Sequence, residues 1–357
     1  RGGPSMADGT AGRGAPQRHG APAGRPAPAA TADDVAIVVV TFNRADLLGG
    51  LLASIAAADE RPGRVVVVDN ASSDHTPDVL AAARDRLGDV LLVRRLETNT
   101  GGAGGFCEGV RTALEDGARW LWLMDDDVEV LPDGMARLLS WSGAFRVLHG
   151  RRWDHDGSPF FWQPEFNQLL GVPKIVGAPR FEPLGWSPAS SGCFEGMFVH
   201  RSVVERIGLP DPRFFIGWDD AIYGWLASRA TRSAVVDEFV LRRARDIRQL
   251  SIGTRQLNAG GDLTRYHIMR NRAHIARYFA AHGELFPAGF AVGTAFIFAK
   301  ELVRLVVVER KVRGAGRLVR GWLDGRAVRR DPSWRPMPPF VPAAAAAEAG
   351  GAVTSTP

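Results

Sequence analysis

Two uninterrupted β-branched runs constrain this chain most, VAIVVVTF at 35–42 and RVVVVDN at 64–70. A strand with one wet face alternates apolar and polar residues. A run with no polar position is covered on both faces, as in a parallel sheet between helix layers. The intervening segments fit that arrangement. RADLLGGLLASIAAA has helical periodicity, and SSDHTPDVLAAARDRLG opens with capping residues before continuing as a helix. VLLVRR at 90–95 supplies a third strand, and a glycine loop at 98–105 leads into a helix through about residue 117. RWLWLMDDD then brings a fourth strand to LPDGMARLLSWS, another helix. This alternation predicts a doubly wound α/β fold.

In such a sheet ligands bind beyond the carboxyl ends of the strands. The polar strand ends here are Thr41–Arg44, Asp69–Asn70, Asn99–Gly105 and Asp125–Asp127, four loops expected to converge at one edge. After residue 141 the pattern loosens. HGRRWDHDGSPFFWQPEFNQLLG reads as an extended loop or small insertion, and KIVGAP as a further strand. SSGCFEGMFVHRSVVERIG reads as a strand running into a helix. A turn precedes a helix begun by Asp219 and Asp220, and TRYHIMRNRAHIARYFAAHG is a helix with a basic surface.

The ends differ in composition. Residues 1–34 are rich in Gly, Pro and Ala, with no apolar stretch of the signal-peptide kind, and read as a disordered leader. Residues 332–357 read as a disordered tail. The two cysteines, Cys107 and Cys193, are expected to be reduced thiols. Formal net charge is +5, but the stretch Glu309–Arg330 holds eight Lys or Arg against two acids. It follows Leu285–Ala299, fifteen uncharged residues, fewer than the roughly 20 a spanning helix needs. An interfacial helix backed by basic charge fits an anionic membrane surface. A core helix with a solvated basic tail is the plainer alternative. The basic run lacks interleaved aromatics, which argues against nucleic acid.

Three adjacent carboxylates at a ligand-binding edge repel one another and any phosphate. A divalent cation such as Mg²⁺ or Mn²⁺ would join them and bridge to a diphosphate. Alternation along an extended stretch turns Asp125 and Asp127 to one side and leaves Asp126 pointing elsewhere. TNTGGAGGF, with Asn99, Gly101 and Gly102, would let backbone approach a sugar or phosphate. It lacks the Gly-Lys-Ser/Thr of a nucleoside-triphosphate loop. In GWDDAIYG, Asp219 is the candidate general base, Asp220 its support and Trp218 an apolar wall for a sugar. The alternative for this pair is a helix cap. His267, among Arg265, Arg270 and Arg272, is a candidate diphosphate contact.

VVVTFNR, VVDNASSD, NTGGAGGF, LMDDDVEV, FFIGWDDAIYG and YHIMRNR occur in an order that resembles the inverting family 2 glycosyltransferases of GT-A fold. Within them the chain looks most similar to bacterial galactofuranosyltransferases of cell-wall galactan synthesis. The resemblance covers roughly 35–280, divided into a nucleotide-sugar half (35–130) and an acceptor half (131–280), with membrane-associating helices at 281–331. It implies that Thr41, Asn43, Arg44 and Asp69 hold the uridine nucleotide. It also implies that Asp125 and Asp127 lie at the metal and diphosphate positions, that Asp219 is the base, and that His267 lies on the diphosphate side. The implied reaction moves galactofuranose from UDP-galactofuranose to a polyprenyl-diphosphate-linked glycan at the cytoplasmic face of the plasma membrane, by a peripheral enzyme. The family's further metal-ligating histidine after the Trp-Asp-Asp motif is missing, since no histidine lies between His200 and His267. Three outcomes stay open: a metal held by aspartate, diphosphate and water; substitution by His267; or an arginine, Arg242 or Arg243, taking the charge. SGCFEGMF lacks the paired tryptophans of polymerising members, which fits addition of one or a few sugars.

A rhamnosyltransferase using dTDP-rhamnose is the nearest alternative. Nucleotidyl transfer would want a basic glycine-rich loop that TFNRADLLGG does not make, and a non-catalytic glycan- or lipid-binding role would leave both acid clusters unused. Self-association is open.

Overall fold

The computed structural model describes residues 30–174, 177–245, 249–252, 255–258, 261–310 and 313–341. Its first half runs β1 (Val35–Thr41), α1 (Ala45–Ala56), β2 (Arg64–Asp69), α2 (Thr76–Leu87), β3 (Leu91–Arg95), α3 (Gly101–Glu115) and β4 (Trp120–Asp125). β3, β2, β1 and β4 lie side by side and parallel, in register Thr41 to Asp69 and Val40 to Asp125, so three polar strand ends are level. The unbroken apolar runs are accounted for by two-sided cover. Ile37, Val39, Val65, Val67 and Trp122 pack under α1 and α2, while Val38, Val40, Val66, Val68 and Leu123 pack under α3.

The second half continues through β5 (Val128–Val130), α4 (Gly134–Leu139), β6 (Val147–Trp153), β7 (Pro159–Phe160), β8 (Phe166–Asn167), β9 (Val172–Pro173), β10 (Trp186–Pro188), β11 (Met197–His200), α5 (Arg201–Ile207), α6 (Asp219–Ala230) and β12 (Ser233–Arg243). Beyond β4 the sheet adds β11, β6, β12 and β10, with β11 antiparallel to β4. The stretch expected to be an extended loop therefore contains β6, an internal strand. Its apolar pattern is masked because a charged residue, Arg152, is buried in it. The expected KIVGAP strand spans 174–179; residues 175–176 lie outside those described, and residues 174 and 177–179 are not in a strand.

A hairpin, β13 (Gln249–Ile252) and β14 (Arg255–Asn258), precedes three C-terminal helices: α7 (Asp262–Ala281), α8 (Pro287–Val303) and α9 (Ala315–Arg330). The GT-A-type expectation holds, as a mixed α/β core with a helical extension. Most of the proposed leader and of the proposed tail lies outside the described residues. Residues 332–341 lie against the fold: Trp334 is buried and donates from Nε1 to His274 Nδ1 (3.0 Å), and Phe340 N donates to Glu205 O (3.0 Å). Among the described residues no helix is long and apolar enough to cross a membrane.

Candidate active site at the strand ends

The level strand ends open into a cavity of about 620 Å³. Thr41, Arg44, Asn99, Gly101, Gly102, Asp125, Asp126, Asp127, Asp219 and Asp220 all line it. β4 delivers the first acid, and the turn into β5 redirects the others. Asp126 points back to β1, accepting from Thr41 Oγ1 (2.7 Å) and from Arg44 (2.9 Å). Asp127 accepts from Arg245 Nε at 2.9 Å and lies 3.4 Å from Arg44. Burial raises the Asp126 carboxyl above its ordinary value, and Arg44 opposes that rise. Asp125 is pushed well above the ordinary range by burial, and then by the charges of Asp127, Glu195 and Asp126.

Asp219 and Asp220 open α6 after a strained approach. Phe215, Gly217 and Trp218 have φ of 63°, 80° and 72°, so three of four consecutive residues are left-handed. Two neighbours hold this segment. At the start of α3, Ala103 N donates to Phe215 O (3.0 Å), and a side chain at Gly101 would stand 2.1 Å from that same oxygen. From α7, fully buried Asn271 donates through Nδ2 to the carbonyls of Phe214, Ile216 and Gly217 at 2.8, 3.1 and 2.9 Å. Both acids reach the cavity, yet burial pushes Asp219 up to about 7, with the neighbouring Asp220 charge adding to the rise. Burial likewise raises Asp220 to about 6, and Arg152 offsets part of that. Two adjacent carboxyls this close titrate as a pair.

The glycine run has a packing role that the sequence reading did not foresee. The helix begins at Gly101, so GGAGGF forms its first two turns, with Gly102 open to the cavity. Gly105 lets α3 approach β1, where a side chain would meet Val40 at 2.4 Å.

Five expected site residues lie outside the cavity lining. Asn43 braces a turn, its Oδ1 accepting from Ser73 N (2.7 Å). Asp69 is buried, accepts from Ser72 N (2.8 Å) and pairs with Arg95. Trp218 turns to α7, donating from Nε1 to Ile268 O (3.1 Å). His267 stacks on Phe215 at 4.8 Å between ring centroids, and Arg270 donates to Arg213 O (2.9 Å). The YHIMRNR segment is thus applied to the loop that carries Asp219.

Other lining residues went unassigned. Glu195 pairs with Arg243 at 3.2 Å and with buried Arg152 at 3.4 Å. β12 alternation decides between the two candidate arginines, because Arg243 is buried and lines the cavity while Arg242 is exposed. That alternation was available in LRRAR once a strand was recognised there. Arg245, two residues on, also lines it. The pairs Asp126/Asp127 with Arg44/Arg245 and Glu195/Asp154 with Arg152/Arg243 balance charge locally.

That pairing bears on a metal. Asp125 and Asp127 offer two carboxylates, but Asp127 is engaged by two arginines. Among the described residues no group of three His, Cys, Asp or Glu side chains converges as a metal-binding set. His267 is on Phe215 instead. The donor set does not make a protein-built centre from Asp125, Asp127 and His267.

Residues 36–208 match the model of glycosyl transferase family 2. The chain is 30% identical over 201 residues to the galactofuranosyltransferase GlfT1 of Mycolicibacterium smegmatis, covering 52% of this chain and 62% of that protein. It thus spans a little under two thirds of that relative. It is 28% identical to the N-acetylglucosaminyl-diphospho-decaprenol L-rhamnosyltransferase of Mycobacterium tuberculosis, covering 54% and 69% of the two chains. In fold it is similar to the mannosyltransferase PcManGT from Pyrobaculum calidifontis, solved with GDP-Man and Mn²⁺. The TM-score is 0.50 at 18% identity, over 94% of this chain and 84% of that one.

Proposed function

We propose that the chain, whose residues 36–208 match the glycosyl transferase family 2 model, is an inverting, nucleotide-sugar-dependent glycosyltransferase acting on a lipid-linked cell-wall acceptor. The observation that carries this reading is the convergence of the β4 acids and the half-buried Asp219–Asp220 pair on one cavity at the strand ends. We assign galactofuranose from UDP-galactofuranose as the sugar moved, and a polyprenyl-diphosphate-linked glycan as the acceptor. The similarity to GlfT1 supports the donor. The rhamnosyltransferase relative favours dTDP-rhamnose as the second reading.

In the proposed step Asp219 takes the proton of the acceptor hydroxyl, whose oxygen bonds to the anomeric carbon. The bond from that carbon to the diphosphate breaks, and the diphosphate leaves with the electron pair. Asp220 sustains the proton affinity of Asp219. Arg44 and Arg245, already at the β4 acids, meet the charge developing on the leaving group. Thr41 and the loop around Asn43 and Asp69 would shape the nucleotide end, and Asn99, Gly101 and Gly102 the sugar side.

The chain would work as a peripheral protein of the cytoplasmic face. α8 and α9 present exposed Val292, Phe296, Val303 and Trp322 beside the arginines of α9, a combination suited to an anionic leaflet. The proposed catalytic region is 35–280 and the membrane-associating one 281–331.

The test is a transfer assay offering UDP-galactofuranose, dTDP-rhamnose and UDP-hexopyranoses, each with Mg²⁺, Mn²⁺ or chelator. Turnover of UDP-galactofuranose is expected; turnover of dTDP-rhamnose alone would replace the donor. Arg245→Ala is expected to lower kcat by about 10²-fold, the scale for losing one donor to a developing charge. Turnover that survives chelator would leave the leaving-group charge with Arg44 and Arg245. Loss with chelator and recovery with Mn²⁺ would return the leaving-group role to a metal.

A further inference from the structure

A second cavity, of about 550 Å³, opens between α7, α8 and α9. Met269, Ala291, Ala295, Phe298, Val319 and Trp322 give it an apolar lining, and only Thr294 and Arg329 bring polar groups. Thr294 leads to a second cation. Its Oγ1 accepts from Arg272 Nε at 3.2 Å, and the remaining Arg272 donors go to the carbonyls of Gly171, Leu170 and Phe290. Arg272 is 1% exposed. Among the described residues no carboxylate pairs with Arg272 or Arg329. Burial brings Arg272 down to about 9, and the charge of Arg329 adds to the fall. Arg329 is exposed, and the partial cover it has at the groove lowers it as well.

Arg272 spends its donors on the protein, whereas Arg329 stands exposed at the groove with no carboxylate beside it, so an anion seated at the groove would meet Arg329. A free anion would leave the apolar lining unused, and a neutral chain would leave Arg329 unpaired. An amphiphile with a phosphate head uses both. The surroundings add direction. Exposed Val292 and Phe296 on α8 and exposed Leu323 on α9 carry the apolar surface outward from the groove. On the inner side Met269 packs in one cluster with Ile297, Leu305 and Leu318, against which Trp218 lies, and Trp218 immediately precedes Asp219. Along α7, Met269 stands six residues, about 9 Å of helix, from Leu263 in the wall of the catalytic cavity.

We infer that this groove seats the lipid of a lipid-phosphate-linked acceptor, the apolar chain between α8 and α9 and the phosphate on Arg329, with the glycan leading along α7 to the Asp219 cavity. The inference rests on the lipid-linked-acceptor reading above and gives that acceptor a place.

The test is calorimetric titration of the full chain, held in saturating UDP, with farnesyl diphosphate, farnesol and inorganic diphosphate. Ala295→Trp fills the groove from an exposed helix position, and Arg329→Gln removes the cation. Farnesyl diphosphate is expected to bind at least about tenfold more tightly than either fragment, as expected when apolar burial and charge pairing act on one ligand. Each variant is expected to lose about tenfold of that affinity with UDP binding unchanged. Wild-type affinity in both variants would overturn the inference, and so would inorganic diphosphate matching the probe. Phosphatidylglycerol vesicles that, added beforehand, abolish the farnesyl diphosphate heat would overturn it too, by assigning the groove to bulk lipid. The donor assay separates the two readings. Absence of any sugar transfer with groove binding intact defeats the catalytic proposal alone. Transfer to a lipid-linked acceptor at wild-type rate in Ala295→Trp defeats the groove alone.

Discussion

Asp219→Asn is expected to lower kcat for sugar transfer by about 10²–10⁴-fold, the range associated with a positioned general base, while UDP binds as before. Asn keeps the shape of the side chain and its place at the start of α6 but accepts no proton. The pH dependence gives the same claim a second reading. With Asp219 raised to about 7 and Asp220 to about 6, the ionised base accumulates only toward neutrality. The wild-type rate should climb through a limb near pH 7 and level above it, and that limb should vanish from the residual activity of the variant. Stability runs the other way. An acid whose native proton affinity exceeds its unfolded one holds more protons when folded, so stability falls as pH rises from the unfolded value of 3.8 through about 7. Asp219→Asn removes this loss. Its melting temperature should exceed that of the wild type at pH 8 and match it near pH 4. A fully active variant with an unmoved limb would remove Asp219 from the mechanism.

Asn271→Ala is expected to act at a distance through the same residue. The side chain is fully buried and serves three carbonyls of the loop ahead of Asp219. Removing it leaves buried acceptors without a donor, a loss of about 1–3 kcal/mol for such a group. With the loop loosened, water reaches Asp219, burial no longer raises its proton affinity as far, and the pH limb should shift toward acid. kcat should fall while the affinity for UDP holds. A lower melting temperature with the limb in its wild-type place would mean that Asn271 supports the fold and does not position the base. Asn271→Leu, which keeps the size but loses the donor, should behave as Ala does.

These two residues mark how far the sequence could be read. Continuous apolar strands such as Val35–Thr41 were legible because two-sided cover leaves its mark on every position. The acid triplet was legible because a buried strand ending in three carboxylates sets them at the sheet edge. Asp219 was visible as an acid at a helix start, but its raised proton affinity depends on enclosure by residues from other elements. The role of Asn271 was out of reach, since its partners lie 54 to 57 positions earlier and meet it only when α7 docks. The stacking of His267 on Phe215 was out of reach for the same reason, since Phe215 lies far from it in the chain. Glu195 was passed over because its arginine partners stand on β6 and β12, which become neighbours only in the assembled sheet.

The central claim is direct displacement at the anomeric carbon with Asp219 as base. The most direct measurement is proton NMR of the disaccharide linkage formed from UDP-galactofuranose, read early in the reaction. A product whose anomeric configuration is opposite to that of the donor, formed by wild type and not by Asp219→Asn, is the predicted result. Retained configuration, or the same product at the same rate from Asp219→Asn, would contradict it.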